Sequence, residues 1–297
     1  MTDQTRALIS GFSEDLSTEG KGEKTIKSYV SDVEAYAKWL SSKEQELTAK
    51  LSRYHIVRYK ESLLEDNLAP NTINKKVNSL SSLNEYLIVS GQTKDKVVHP
   101  NKDKIKIASG SEKQVAVLSE QEVEKLLFWL EGDSDVSQRD KAIILVLLYC
   151  GLRVSELVGL RRNDVDLLAH QLTVIGKGGK YRRLPLRADV VETLNSYQEG
   201  ERKGHRLVDS SYLFLSQRAG RLDKDSVNKL LRKHGERLGM ILYPHKLRRT
   251  FCTRLLNLRG VDLTTVAKLA GHASIQTTAS YYINTSEEDK SKAVNSL

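Results

Sequence analysis

Apolar residues recur at helical spacing through the first ninety positions. In TIKSYVSDVEAYAKWL, the residues Ile26, Tyr29, Val30, Val33, Ala37 and Leu40 fall on one face. In NTINKKVNSLSSLNEYL, which follows the turn signal NLAP, Ile73, Val77, Leu80, Leu83 and Leu87 do the same. Between them SRYHIVRYKESLLED predicts a shorter helix opened by Ser52 as its N-cap. These segments predict an N-terminal four-helix bundle. From Ser90 to about Gln114 the periodicity is lost and Lys, Gly, Pro and Ser accumulate, the composition of a linker. The pattern therefore predicts two domains, residues 1–105 and 115–297.

The second domain opens with a capping box, Ser119 with Glu122, ahead of Val123, Leu126, Leu127 and Leu130. The run AIILVLLYCGL, Ala142 to Leu152, is apolar on every side but too short to cross a bilayer, so it predicts a buried helix stopped by Gly151. A short helix, SELVGL, follows. HQLTVIGKGGKYRRLPL alternates, turns on glycines and alternates again, which predicts a β-hairpin. Its GKGGK turn lacks the spacing and the following helix of a nucleotide-binding P-loop. Two more helices are predicted, YPHKLRRTFCTRLLNL after Pro244 and DLTTVAKLA up to Gly271. The fold class is mainly α with a small antiparallel β-sheet.

Composition narrows the class. A chain of 297 residues with 39% hydrophobic content has room for two cores. MTDQTRALISGFSEDL has no apolar segment after a basic start, so a cytoplasmic protein without a membrane partner is expected. Cys150 and Cys252 lie in apolar or helical patterns without metal-ligand spacing and read as reduced structural thiols. The 47 Lys and Arg outnumber the 38 Asp and Glu, a net charge of +9, and basic residues gather in the polar junctions. Such a balance fits an anionic partner such as nucleic acid, and equally fits solvated helix faces.

Several residues carry candidate chemistry. Arg153 stands between apolar segments and needs either an acidic brace, which Glu156 can supply, or an anionic ligand. His245 and Arg248 share a helix face and repel unless a negative group lies between them. Lys177 occupies the hairpin turn, and His272 directly follows the helix-ending Gly271. Nine and ten residues later stand Tyr281 and Tyr282, in a segment of small polar residues. Either ring could pack as an amphipathic tyrosine, or one phenol could be a nucleophile.

Taken together, GLRVSELVGL, VIGKGGKYRRLPL, PHKLRRT and LAGHASIQTTASYY resemble, in order and spacing, the motifs of the tyrosine recombinases, or phage-type integrases, above all the compact Xer-type members. The resemblance covers nearly the whole chain. It implies a catalytic set of Arg153, Lys177, His245, Arg248, His272 and Tyr281, with Tyr281 preferred over Tyr282 on spacing. Arg249 departs from the histidine that many members carry after the H-x-x-R arginine, a position outside that set.

The resemblance implies strand cleavage through a 3′-phosphotyrosyl intermediate and a Holliday junction, with no metal and no cofactor. The implied partner is double-stranded DNA with paired inverted-repeat half-sites, held in a clamp of the two domains by a homo-tetramer or mixed tetramer, with accessory proteins left open. The tail TSEEDKSKAVNSL reads as a short version of one that packs on a neighbouring protomer, or as a frayed end. DNA contacts are expected at the basic and polar helix starts, Lys24, Thr25 and Lys27 with Asn71, Thr72, Asn74 and Lys75, where free N–H groups favour phosphate. Further contacts are expected at Arg161, Arg162, Lys180, Arg182 and Arg183. Two other readings share part of the pattern. A type IB topoisomerase uses the same tyrosine chemistry without paired sites, and a DNA-binding module without catalysis would lack one of the six residues.

Overall fold

The apolar stripes of the first ninety residues converge on one core. The computed structural model describes residues 1–106, 116–132, 136–176, 179, 181–272, 274–279 and 295, and the chain divides into two units, Met1–Glu112 and Lys113–Leu297. In the first, helices α1 (Asp3–Thr18), α2 (Glu23–Ser41), α3 (Arg53–Glu65) and α4 (Pro70–Val89) bury Phe12, Leu16, Val33, Ile73, Leu83 and Leu87 completely. Pro70 opens α4 at a position where its fixed φ suits the helix and its missing N–H is not needed. Ser52 occupies the N-cap position of α3 but makes no side-chain capping bond.

The stretch read as a linker from Ser90 is structured as far as Lys106. Val98 is buried, and Asn84, itself buried in α4, accepts from the amides of Val97 (2.8 Å) and Val98 (3.1 Å) and donates to the carbonyl of Asp95 (2.9 Å). A short helix, α5 (Pro100–Asp103), then places Asp103 under the guanidinium fork of Arg53, at 2.6 and 2.5 Å. Asn74 closes the segment by pairing with both backbone groups of Ile105, at 2.7 and 3.0 Å. Composition misreads this stretch because its polar backbone is satisfied by two amide side chains of α4 rather than by a regular element.

The second unit is built around α7 (Gln138–Cys150), in which Ile143, Ile144, Val146 and Leu147 are all fully buried, as its all-round apolar run requires. Around it stand α6 (Glu120–Gly132), α8 (Val154–Leu157), α9 (Ala188–Glu199), α10 (Lys224–Leu238), α11 (Pro244–Leu256), α12 (Leu263–Ala270) and α13 (Ile275–Ala279). The capping box before α6 is made in both directions, Ser119 N–H to Glu122 at 2.8 Å and Glu122 N–H to Ser119 at 3.1 Å. Buried polar groups tie α6, α7 and α10 together: Trp129 Nε1 donates to His234 Nδ1 (3.2 Å), whose Nε2 lies 3.2 Å from Asp140. Cys150 and Cys252 are free and buried, and burial pushes their thiols up to about 12 and about 11.

A three-stranded antiparallel sheet, β1 (Val165–Asp166), β2 (Gln171–Ile175) and β3 (Tyr181–Pro185), lies between α8 and α9 in the chain. Its first strand has two residues, too few to show a period in the sequence. The register sets Val174 opposite Arg182 and Leu172 opposite Leu184, so the inward face carries Leu172, Val174 and Leu184 and also receives Arg182. Among the described residues no helix is long and apolar enough to cross a membrane.

Replacing Asn84 with Ala removes three bonds and leaves two amides unpaired. It should cost the first unit about 2 kcal/mol and speed hydrogen exchange at Val97 and Val98 well before α1 is affected. Unchanged protection at those amides would show that Asn84 does not hold this segment.

Candidate active site

The bend after α7 sets the geometry. Gly151 has a left-handed φ of 59°, and a Cβ there would lie 2.2 Å from Phe251, so no other residue fits. The chain leaves this bend with Arg153 as the N-cap of α8. The Arg153 side chain, 42% exposed, donates to Glu156 (2.9 Å) and to the carbonyl of Gly271 (2.7 Å), while its amide donates to the other Glu156 oxygen (2.8 Å). The brace read from the sequence is therefore real, and the same guanidinium still reaches the surface.

Glu156 is shared. Arg182 of β3 forms a two-pronged pair with it, at 2.9 and 3.0 Å, and donates through Nε to the carbonyl of Leu269 (2.9 Å). Arg248 of α11 lies 3.9 Å away and donates to the carbonyls of Gly151 and Ala270, each at 2.6 Å. Burial opposes ionisation of Glu156, yet bonds from Arg182 and Arg153 outweigh it and hold the carboxyl below its usual range. Burial and the charge of Arg153 pull Arg248 down to about 10, still far above neutrality, so the guanidinium remains charged.

Two imidazoles complete the set. His245 lies in the first turn of α11, one turn before Arg248, and His272 follows the left-handed Gly271 that ends α12. A Cβ at Gly271 would come within 2.7 Å of the Arg182 guanidinium, so this glycine is fixed by both its φ of 66° and the passing arginine. Burial, then the charges of Arg249, Arg248 and Arg153, lower His245. Burial and the charges of Arg248 and Arg153, with His245 and Arg182 adding to them, lower His272 to about 4. Both rings are neutral at pH 7. The cluster carries three guanidiniums and one carboxylate, and so an excess of positive charge with a guanidinium at the surface.

Of the residues proposed from the sequence, the structure brings Arg153, His245, Arg248 and His272 together; Lys177, Lys180 and Tyr281 lie outside the described residues. Lys24, Thr25, Lys27, Asn71, Thr72, Lys75, Arg161, Arg162 and Arg183 are exposed. Lys75 also pairs with the buried Asp32 at 3.0 Å, and Arg161 stacks its guanidinium 5.9 Å above Tyr212. Two residues read as DNA contacts are used internally. Asn74 holds the backbone of Ile105, and Arg182 holds Glu156 and Leu269 with a side chain only 15% exposed. Period-two alternation could have separated Arg182, which shares a face with Leu184, from the outward Arg183. Thr278, fully buried and 2.8 Å from His272 Nδ1, lies in a run of small polar residues that carries no periodic signal.

Residues 116–289 match the model of the phage integrase family, and residues 8–90 match that of the phage integrase N-terminal SAM-like domain. The chain belongs to the phage integrase family. This recombinase is 32% identical over 274 residues to the TnP I resolvase of Bacillus thuringiensis, covering 91% of this chain and 93% of the relative. It is 31% identical over 266 residues to the tyrosine recombinase XerC of Staphylococcus aureus strain JH9, covering 87% and 85%. A crystal structure of the XerH site-specific recombinase, bound to palindromic difH substrate in a post-cleavage complex, shares the fold with a TM-score of 0.75 at 22% identity, over 96% of this chain and 85% of that one. The chain is a tyrosine recombinase of Xer type, in a family of site-specific DNA recombination.

Replacing Glu156 with Gln leaves three guanidiniums without their shared anion. It should destabilise the second unit by about 3 kcal/mol, read from Trp129 emission in a Trp39→Phe background during urea unfolding. The sign with pH follows from the lowered carboxyl. Its stabilisation is complete above the ordinary glutamate range and is lost as pH falls through the depressed folded value. The parent should therefore lose stability on acidification below about 4.3 more steeply than Glu156→Gln. A loss under about 1 kcal/mol, or parallel pH curves, would contradict the assignment.

Proposed function

We propose that this recombinase exchanges DNA strands at specific sites by attaching a 3′-phosphate to Tyr281 and resealing it through a Holliday junction, without metal or ATP. The observation that supports the reading most is the meeting of His245 and His272 with Arg153 and Arg248, two arginines that one buried carboxylate braces. A phosphodiester repels nucleophiles, and in-line attack builds charge on its nonbridging oxygens. Guanidinium forks donate to those oxygens and stay charged throughout. Neutral His245 and His272 donate single hydrogen bonds there, and neutral His245 can also accept the proton of an attacking phenol.

The sequence puts Lys177 in the turn between β2 and β3, where it would protonate the departing 5′-oxygen. Tyr281 comes two residues after α13. A phenoxide serves as nucleophile and later as leaving group, so the phosphotyrosyl link conserves the bond energy for resealing. The exposed basic residues of both units would hold phosphates of the duplex, with Lys24, Lys27 and Lys75 near the starts of α2 and α4 and Arg161, Arg162 and Arg183 beside the sheet. Recombination of two sites calls for a tetramer. An apolar groove of about 560 Å³ lined by Leu148, Tyr149, Phe251, Leu255, Leu258 and Leu269 would accept the Ala293–Leu297 end of a neighbouring protomer.

In EDTA and without ATP, Tyr281→Phe should form no covalent adduct with DNA carrying a recombination site while binding it nearly as well as the parent, and Tyr282→Phe should still cleave. Adducts from the first variant and none from the second would move the nucleophile to Tyr282. Strict dependence on Mg²⁺ or Mn²⁺ would contradict cationic side chains as the source of phosphate stabilisation.

Lys177→Ala should bind but cleave slowly, since an alkoxide departs poorly without a proton. A bridging 5′-sulfur gives a thiolate, whose conjugate acid has a pKa of about 8.5 and needs little help. That substrate should rescue Lys177→Ala far more than Arg153→Ala. Equal rescue of both, or of neither, would remove Lys177 from the acid role.

A further inference from the structure

His272 touches a buried hydroxyl that its sequence position did not reveal. Thr278 of α13 is fully buried, and its Oγ1 lies 2.8 Å from His272 Nδ1, the one partner of this hydroxyl among the described residues. A hydroxyl has one proton to give and two lone pairs to receive, and a buried donor without an acceptor is costly while a spare lone pair is tolerated. If Nδ1 carried the proton, Thr278 would accept and its own O–H would have no acceptor among the described residues. If Nδ1 is bare, Thr278 donates and both groups are satisfied.

We infer that Thr278 is a positioning residue that fixes His272 as the neutral Nε2–H tautomer, so that this ring meets a scissile phosphate as a hydrogen-bond donor and not as an acid. The charged groups around the ring act in the same direction. Arg153 at the start of α8, Arg182 on β3, and Arg248 with His245 on α11 all disfavour a second proton on it. Protonation at Nδ1 would also turn Thr278 from donor to acceptor. A fixed tautomer puts the proton on Nε2, the form in which the ring can donate to an oxygen whose charge grows in the transition state.

This inference rests on the recombinase reading for its consequence but not for its measurement. Long-range ¹H–¹⁵N correlation spectra of histidine-labelled protein at pH 7, with His272 assigned by its absence in His272→Gln, report the tautomer without DNA. The parent and Thr278→Ser should show Nε2–H, and Thr278→Val should shift protons onto Nδ1. Adduct formation should fall about tenfold in Thr278→Val and stay near the parent rate in Thr278→Ser. An Nδ1–H tautomer in the parent, or an unchanged tautomer in Thr278→Val, overturns the inference. If Thr278→Val does not fold, the parent and Thr278→Ser spectra still decide it. Absence of adducts from the parent would count against the recombinase reading, while the tautomer is settled by the spectra.

Discussion

One buried carboxylate has to hold three guanidinium groups that would otherwise drive one another apart. Glu156 accepts from Arg153 and Arg182 and lies within 4 Å of Arg248. Each arginine arrives on a different element, α8, β3 and α11, and each also grips backbone carbonyls of the turns beside it. Arg153 reaches Gly271, Arg182 reaches Leu269, and Arg248 reaches Gly151 and Ala270. The end of α7, the hairpin, the start of α11 and the end of α12 are thus joined through one anion. An apolar contact could not substitute, because it would leave these carbonyls and charges without partners.

The same arrangement creates the chemistry. A single carboxylate offsets only part of three positive charges, so an anion that arrives from outside meets an unbalanced cationic surface led by the exposed Arg153. Burial, and with it the remaining field, lowers both His245 and His272 and favours their neutral forms. Neutral rings donate hydrogen bonds to a phosphate without adding repulsion to the resting site. The glycines at 151 and 271 belong to this design as much as the charged groups do, since each turns the backbone left-handed where an arginine or a phenylalanine fills the space of a side chain.

Much of this was legible in the chain. The long stripes of α2 and α4, the all-round apolar α7, the alternating hairpin and the glycine stops each follow from one local period or one backbone constraint. So did the pairing of Arg153 with Glu156, three residues apart across the start of a helix. What stayed hidden depends on contacts distant in sequence. Asn74 and Arg182 looked like surface cations or polar contacts because nothing nearby shows that Ile105 and Glu156 need them. The polar stretch after Ser90 looked like a linker because Asn84 satisfies its backbone from within a helix. Thr278 sits in a run of small polar residues whose burial only the folded structure reveals.

The central claim is that burial and the charges of the arginine cluster hold His272 well below the ordinary histidine range, so that the ring stays neutral at pH 7. The most direct measurement is an NMR titration of the His272 ring in the free protein and in saturating inorganic sulfate, a dianion that does not itself titrate in this range. The account gives a titration near 4 in the free protein and a higher value with sulfate bound, since the added negative charge favours the imidazolium. An ordinary histidine titration near 6.5 in the free protein, unmoved by sulfate, would contradict it.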